Sequence, residues 1–266
     1  MHTKALVVAL AVGSFAASAS SCSSLGRGEQ LVTQDITTVP EAEIDLARAS
    51  EENRLRLIDP AFADMVAVLD DPWGLESARL FFKNTNALIL AENTDAAALR
   101  AATLSVSQRV PMVTYDESIR GKISELASDL GVKQILVVGN VPWASQSGLQ
   151  EVIHDPGNTK ALGEYTAFQF TSKVVKDPSR MVDNIAHLDS SAKVELKAAW
   201  EPLPQYMTKE KMPAIPAEAR RDAQMAPVIV ATVDSPVANV VNANAYGGTV
   251  MVMPDPDPSA TKVGAA

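Results

Sequence analysis

The chain has 266 residues, of which 47% are hydrophobic and 5% aromatic, and its formal net charge is −9. This length and hydrophobic content are sufficient for one large or two small globular domains. The acidic balance argues against nucleic acids and anionic membrane surfaces as partners, because both favour an excess of Lys and Arg. The scarcity of aromatic residues also argues against a stacking platform for bases or sugars.

Residues 1–21 are predicted to be a signal peptide. Lys4 is followed by an apolar run from Ala5 to Ala17 and then by small residues as far as Ser21. This run is too short for a stable membrane-spanning helix, and its order of charge, apolar run and small residues is typical of a secretory leader.

Cys22 is the candidate lipidation site. The sequence Ala19-Ser20-Ser21-Cys22 resembles a bacterial lipobox, with Ala19 at the position where Leu is usual. We therefore expect acylation of Cys22, a location on the extracytoplasmic face of the cell membrane, and a flexible tether over residues 22–38. The alternative is an ordinary secretory signal that leaves Cys22 as a free thiol, which cannot form an internal disulfide because it is the single Cys.

Residues 39–145 are predicted to hold a helical lead-in and the first α/β unit. The stretch 39–58 begins with Pro40 and has acids early and arginines late, an order that suits the dipole of a surface helix. Two shorter helices are predicted at 61–69 and 75–82, separated by the turn residues Asp70-Asp71-Pro72.

Three apolar runs at 87–91, 110–114 and 135–139 lack the polar alternation of a strand with one solvated face. They are typical of parallel strands buried on both faces. The helices predicted between them cover 96–109 and 119–130, with Thr94 and Asp116 as caps and Gly131 as the C-terminal residue of the second. With right-handed crossovers, the loops that follow the three strands lie together at the carboxyl edge of the sheet.

That edge carries few catalytic groups. The stretch 86–140 contains no G-x-G-x-x-G, P-loop or nucleophile elbow and no His. Asp95, Asp116 and Glu117 could form an acid/base set, but capping and the helix dipole explain Asp95 and Asp116 better. His154 has no second His nearby, so we favour a surface or packing role over a metal ligand. We predict no catalytic site, no metal and no cofactor.

The segments Asp95 to Ala102, Val110 to Thr114 and Val132 to Gly139 resemble one copy of the type 2 cell-wall-binding repeat. The resemblance covers about a fifth of the chain. It implies a Toprim-like α/β sandwich on the surface of a Gram-positive bacterium. It also implies that an anionic wall polymer binds around the second strand, where the ligand-contact candidates are Pro111, Met112 and Val113. The chain departs from the family in having Gly139-Asn140 where the repeat has paired glycines.

Residues 146–226 are predicted to form a connecting α+β region. Breakers make 141–162 loop-rich, and a strand at 164–175, a helix at 178–188 and a strand at 193–200 are expected to follow. The stretch 202–226 is rich in Pro and is interpreted as a linker or a lid with a helix only in its middle.

The opening pattern returns in residues 227–254, a partial second repeat followed by a tail at 255–266. Val228 to Ala231 lies 140 positions after Leu88 to Ala91, and a small-residue helix and a second strand follow it. The third strand is missing from this copy, so it either completes a sheet with the intervening strands or is shorter than its relatives. The predicted fold class is α/β: a small parallel-sheet βαβαβ sandwich, Toprim-like or Rossmann-like, with a second, partial α/β unit.

The predicted function is non-catalytic binding at the cell envelope by a lipoprotein whose partner is a wall polymer or an envelope protein. We expect no nucleic acid as a partner and membrane contact only through the lipid anchor. The alternative is a small-molecule-binding lipoprotein that serves a transporter, which requires two comparable lobes around a cleft. A third possibility, an enzyme, is supported only by scattered Asp and Glu residues.

Overall fold

A computed structural model describes residues 6–8, 59–62, 67–144, 148, 150–221 and 225–253. The predicted tether, the lead-in helix at 39–58, the tail and Cys22 lie outside the described residues.

The central sheet has four parallel strands: β3 (Ala87–Ala91), β4 (Met112–Thr114), β5 (Gln134–Val138) and β6 (Glu151–His154). Their order in the sheet is β4-β3-β5-β6. All five residues of β3 are buried, as expected for a strand covered by structure on both faces. The predicted α/β fold with a βαβαβ unit is confirmed.

Three helices accompany this sheet: α1 (Leu75–Phe81), α2 (Asp95–Gln108) and α3 (Arg120–Asp129). The predicted caps are confirmed. The Thr94 side chain accepts a hydrogen bond from the Ala97 N–H, and the Asp116 side chain accepts one from the Ser118 N–H at the start of a 3-10 turn that leads into α3. Gly131 has a φ of 68°, the left-handed conformation expected after a helix.

Three predictions for the flanking segments are wrong. Ala67–Leu69 forms strand β2 within the predicted helix at 61–69. Glu151–His154 forms β6 within the predicted loop. Thr159–Thr166 forms helix α4 where the strand at 164–175 was expected to begin. Short strands carry too little periodicity to be recognised. Helix α4 is capped by Asn158, whose side chain accepts a hydrogen bond from the Ala161 N–H.

The partial second repeat is a parallel unit, β9 (Val228–Thr232), α6 (Val237–Tyr246) and β10 (Thr249–Met253). It completes its sheet with two antiparallel strands, β1 (Leu6–Val8) and β2, in the order β10-β9-β1-β2. The sheet therefore does not use the intervening strands. Strand β1 lies inside the predicted signal peptide, so cleavage after residue 21 would remove it from between β9 and β2.

Helix α6 connects the second unit to the first through asparagine side chains. Asn242 accepts a hydrogen bond from the Met112 N–H at 2.7 Å and donates to the Met112 carbonyl at 3.0 Å. Because β4 is an edge strand, this amide satisfies backbone groups that no neighbouring strand pairs. Asn239 donates to the Asp71 carbonyl at 2.8 Å, just before α1. The two α/β units therefore share an ordered polar interface.

A third, two-stranded parallel sheet pairs β7 (Thr171–Val175) with β8 (Val194–Ala198). Between them lie a 3-10 turn at Pro178–Arg180 and helix α5 (Met181–Ala186), which confirms the helix and strand predicted there. The described part of the Pro-rich stretch, residues 202–221, contains no helix, so the helix expected in its middle is wrong.

Arg100 of α2 forms a buried ionic network that links β8 to Asp155, the residue after β6. Its guanidinium donates to both oxygens of Asp155, at 2.9 and 3.1 Å, and to Glu195 of β8 at 2.6 Å. Burial lowers the pKa of Arg100, but the two carboxylates outweigh it and the pKa is raised overall. Arg100 therefore stays charged inside the protein.

Candidate functional site

A cleft of about 490 Å³ lies where the carboxyl ends of strands from both α/β units meet. We call it the inter-unit cleft. Residues 92–95 follow β3, Thr114 ends β4, and residues 234–237 follow β9, while Asp70 and Met181 also line the cleft. Open α/β sheets bind ligands at this edge, and the volume lies in the range of roughly 300–1,000 Å³ that is usual for small-molecule sites.

The walls of the inter-unit cleft are acidic. Four carboxylates line it, from Asp70, Glu92, Asp95 and Asp234. None of the described residues that line it is Lys, Arg or His. A cavity lined by one sign of charge raises the local concentration of ions of the opposite sign, so the cleft favours an ammonium or a neutral hydroxyl group over a phosphate or carboxylate.

The first turn of α2 does not offer the cleft a vacant anion site. The Ala96 N–H donates to the Glu201 carboxylate at 2.8 Å, and the Ala97 N–H donates to the Thr94 hydroxyl at 3.3 Å. The indole N–H of Trp200 donates to Asp95 at 3.0 Å. Since a carboxylate of this chain already occupies the helix start, an anionic ligand would have to displace it.

Glu92 also has a structural role at the carboxyl edge of the central sheet. Its carboxylate accepts a hydrogen bond from the Asn140 N–H at 2.9 Å and so joins the loops that follow β3 and β5. Gly139 has a φ of 84°, and a Cβ placed there would lie 2.5 Å from the Glu92 carboxylate oxygen. Only glycine fits this close approach without strain.

Pro111, Met112 and Val113, the ligand-contact candidates, are buried in this structure. Met112 and Val113 have 0% exposed surface, and the Met112 backbone is bonded to Asn242. Their side chains therefore contribute to the core, and contact with a ligand stays a prediction.

The three acids considered as an acid/base set do not line one site. Asp95 lines the inter-unit cleft, whereas Asp116 and Glu117 do not. The hydroxyl and N–H of Ser118 lower the pKa of Asp116 by bonding to its carboxylate. His154 is exposed at the end of β6, which agrees with the surface position, one of the two alternatives expected for it.

The sequence indicated the first wall of the cleft but not the second. Residues 234–237 follow β9 much as 92–95 follow β3, so the internal repeat was the available signal. The Ser235 hydroxyl accepts a hydrogen bond from the Thr232 N–H at 2.9 Å and shapes this second loop.

None of the helices among the described residues is long and apolar enough to cross a membrane. Within the same part of the chain, no group of three or more His, Cys, Asp or Glu side chains could hold a metal ion.

No family model, curated protein or solved structure matches this chain. The resemblance to the cell-wall-binding repeat therefore stays a prediction.

Proposed function

We propose that the protein is a non-enzymatic binding protein of the cell envelope, anchored through Cys22, that takes a segment of an envelope polymer into the inter-unit cleft. The observation that carries this proposal is the cleft itself, about 490 Å³ in volume, built jointly by the carboxyl ends of two parallel units. The leader-like first 22 residues support a location at the cell envelope.

The charge of the cleft selects the ligand class within this proposal. Four lining carboxylates favour a polymer segment that carries ammonium and hydroxyl groups. The resemblance to the cell-wall-binding repeat implies an anionic polymer instead, which the same carboxylates would repel. We therefore assign the cleft to an amine-bearing segment of the polymer.

Asp70→Lys tests this assignment. Asp70 is exposed at the side of the cleft, so its replacement should reverse one wall charge and leave the fold intact. We expect about a fivefold to tenfold loss of affinity for purified cell walls, from the change in Coulomb energy near a protein surface. Co-sedimentation with native and N-acetylated walls measures it, and acetylation of the wall amines should weaken binding of the unaltered protein by a similar factor.

Glu125→Lys is the matched control, because Glu125 is an exposed acid on α3 that does not line the cleft. It should bind native walls as the unaltered protein does. Equal binding by the Asp70 and Glu125 variants, or indifference to acetylation, would contradict the assignment of the cleft to an amine-bearing polymer.

A second candidate function is small-molecule binding in the service of a transporter. Two α/β units flank a cleft of small-molecule size, and small-molecule sites commonly lie between such units. A ligand present at 100 times its dissociation constant should add about 2.7 kcal/mol to the free energy of unfolding. A thermal-shift screen of soluble amines tests the second function, because that function predicts a rise in melting temperature with a small amine alone, and no rise at saturating concentration would contradict it.

Cys22→Ser tests the anchor. We expect the unaltered protein to fractionate with membranes, with an intact mass that lacks residues 1–21 and includes acyl groups on Cys22. The Ser variant should move to the soluble or secreted fraction, because its chain has no acyl anchor. An intact mass that retains residues 1–21 in the mature, unaltered protein would refute the lipoprotein assignment.

A further inference from the structure

A second cavity, of about 380 Å³, lies between α5, α6 and the start of β10. We call it the basic cavity, because Arg109, His187 and Arg220 line it and Asp189 is its single acidic lining residue among those described. This concentration of basic side chains stands out in a chain whose net charge is −9. Its charge is opposite to that of the inter-unit cleft.

Arg109 is the main basic group of this cavity. Its guanidinium donates to the Glu218 carbonyl at 3.2 Å and to the Ser190 hydroxyl at 3.3 Å. Both acceptors are uncharged, so the partly buried cation has no carboxylate bonded to it within the described residues. A guanidinium reaches its strongest hydrogen bonds with carboxylate or phosphate oxygens, and this one is placed to accept such a ligand.

The backbone conformation of Arg109 is a second observation in favour of a special role for this residue. It adopts φ 56° and ψ 46° directly after α2, a left-handed conformation that Gly or Asn adopts more easily. A positive charge at this helix end also interacts favourably with the helix dipole. Arg109 therefore has two candidate roles, stabilising the end of α2 and binding a ligand. Measuring both stability and ligand affinity on the same variants distinguishes them.

Lys193 adds a second under-compensated cation beside Arg109. Its ammonium donates to the Ser190 carbonyl at 2.6 Å and to the Ser107 carbonyl at 3.4 Å, and it lies 4.2 Å from the centre of the Phe168 ring. Burial lowers the pKa of Lys193, and the charge of Arg109 lowers it further. Neither Arg109 nor Lys193 therefore has a carboxylate bonded to it among the described residues.

Asp189 compensates this charge only in part. Its carboxylate accepts hydrogen bonds from the N–H and hydroxyl of Ser191, at 2.7 and 2.8 Å. These bonds lower the pKa of Asp189, so it stays ionised, but they orient the carboxylate into its own turn. A bound anion would give the Arg109 guanidinium a charged hydrogen-bond partner.

We propose that the basic cavity binds the phosphate group of a phosphorylated ligand, with Arg109 as the principal contact and Arg220 as a second. The volume exceeds that of phosphate alone and accommodates a polyol or sugar attached to it. The phosphate could belong to a free monoester or to a phosphodiester polymer. This site is separate from the inter-unit cleft and does not depend on the function proposed for that cleft.

Titration calorimetry of the full chain at low salt tests the proposal with two probes, glycerol 3-phosphate and poly(glycerol phosphate). We expect at least one probe to bind and Arg109→Gln to weaken that binding by about tenfold or more, because it removes a charge-assisted contact. Binding of the monoester identifies a free ligand as sufficient, and binding of the polymer alone identifies the diester as the source. Either result supports the proposal.

Arg79→Gln is the matched control, since Arg79 is an exposed arginine on α1 that pairs with Asp129. It should leave affinity unchanged. Arg220→Gln is a second test at an exposed position, which keeps the proposal open to refutation if Arg109→Gln unfolds the chain, and it should weaken binding several-fold. The phosphate assignment would be overturned if neither probe binds or if both cavity variants keep the unaltered affinity. Equal affinity for succinate would also overturn it.

Discussion

Replacing Arg100 with Met is expected to lower the free energy of unfolding by about 3–5 kcal/mol. The side chains of Asp155 and Glu195 that face Arg100 are 0% and 3% exposed. Without the guanidinium, two carboxylates remain in the interior with little water to solvate them. Breaking a buried ion pair from one side is costly for this reason, even where the intact pair adds little net stability.

Urea unfolding followed by circular dichroism measures this loss, and a scan should show a melting temperature lower by roughly 10 °C. Arg79→Met is the control, because the Arg79 side chain is 40% exposed and its ion pairs are at the surface. That variant should change stability by about 0.5 kcal/mol or less. A loss of less than about 1 kcal/mol in the free energy of unfolding of Arg100→Met would show that the buried network does not need the guanidinium in the way expected here.

Replacing Asn242 with Leu is expected to cost about 3–4 kcal/mol. Leucine has a similar volume, but it leaves the Met112 N–H and carbonyl without the partner that they have at 2.7 and 3.0 Å. Each buried backbone group that loses its hydrogen bond costs about 1–3 kcal/mol. The same substitution removes the hydrogen bond to the Ser77 hydroxyl on α1 at 2.8 Å.

Chemical denaturation measures the cost for Asn242→Leu, with Asn86→Leu as the control because Asn86 is exposed at the start of β3. The control should remain within about 0.5 kcal/mol of the unaltered protein. Amide exchange offers a second readout, since the Met112 amide should exchange much faster in the Asn242 variant. Equal stability of the two variants would mean that β4 does not need the α6 amide.

The buried parallel strands could be predicted because their signal is local. Each run of apolar residues in 87–91, 110–114 and 135–139 indicates a strand covered on both faces. The caps Thr94 and Asp116 could be predicted for the same reason, since a cap bonds to N–H groups two or three residues away.

The remaining elements could not be predicted because their stability comes from distant partners. Strand β2 consists of three residues whose extended form depends on pairing with β1, and strand propensity depends strongly on such context. Arg100 follows the Ala-rich start of α2, and its partners lie 55 and 95 positions further along the chain. No local pattern reveals such a pairing.

Only one of the two walls of the inter-unit cleft could be predicted from the sequence. The carboxyl-edge rule placed residues 92–95 at a ligand-binding position. The second wall at 234–237 depends on how the two units pack, which in turn depends on amides such as Asn242. The ligand-contact candidate Met112 proved to be the residue whose backbone this packing uses.

Amide hydrogen exchange, followed by mass spectrometry with and without solubilised amine-bearing wall fragments, tests the location of binding most directly. Binding in the inter-unit cleft predicts slower exchange in peptides that cover residues 92–98 and 234–240, with no change over Arg120–Asp129 of α3. Unchanged exchange at both walls, with fragments present at saturating concentration, would contradict it.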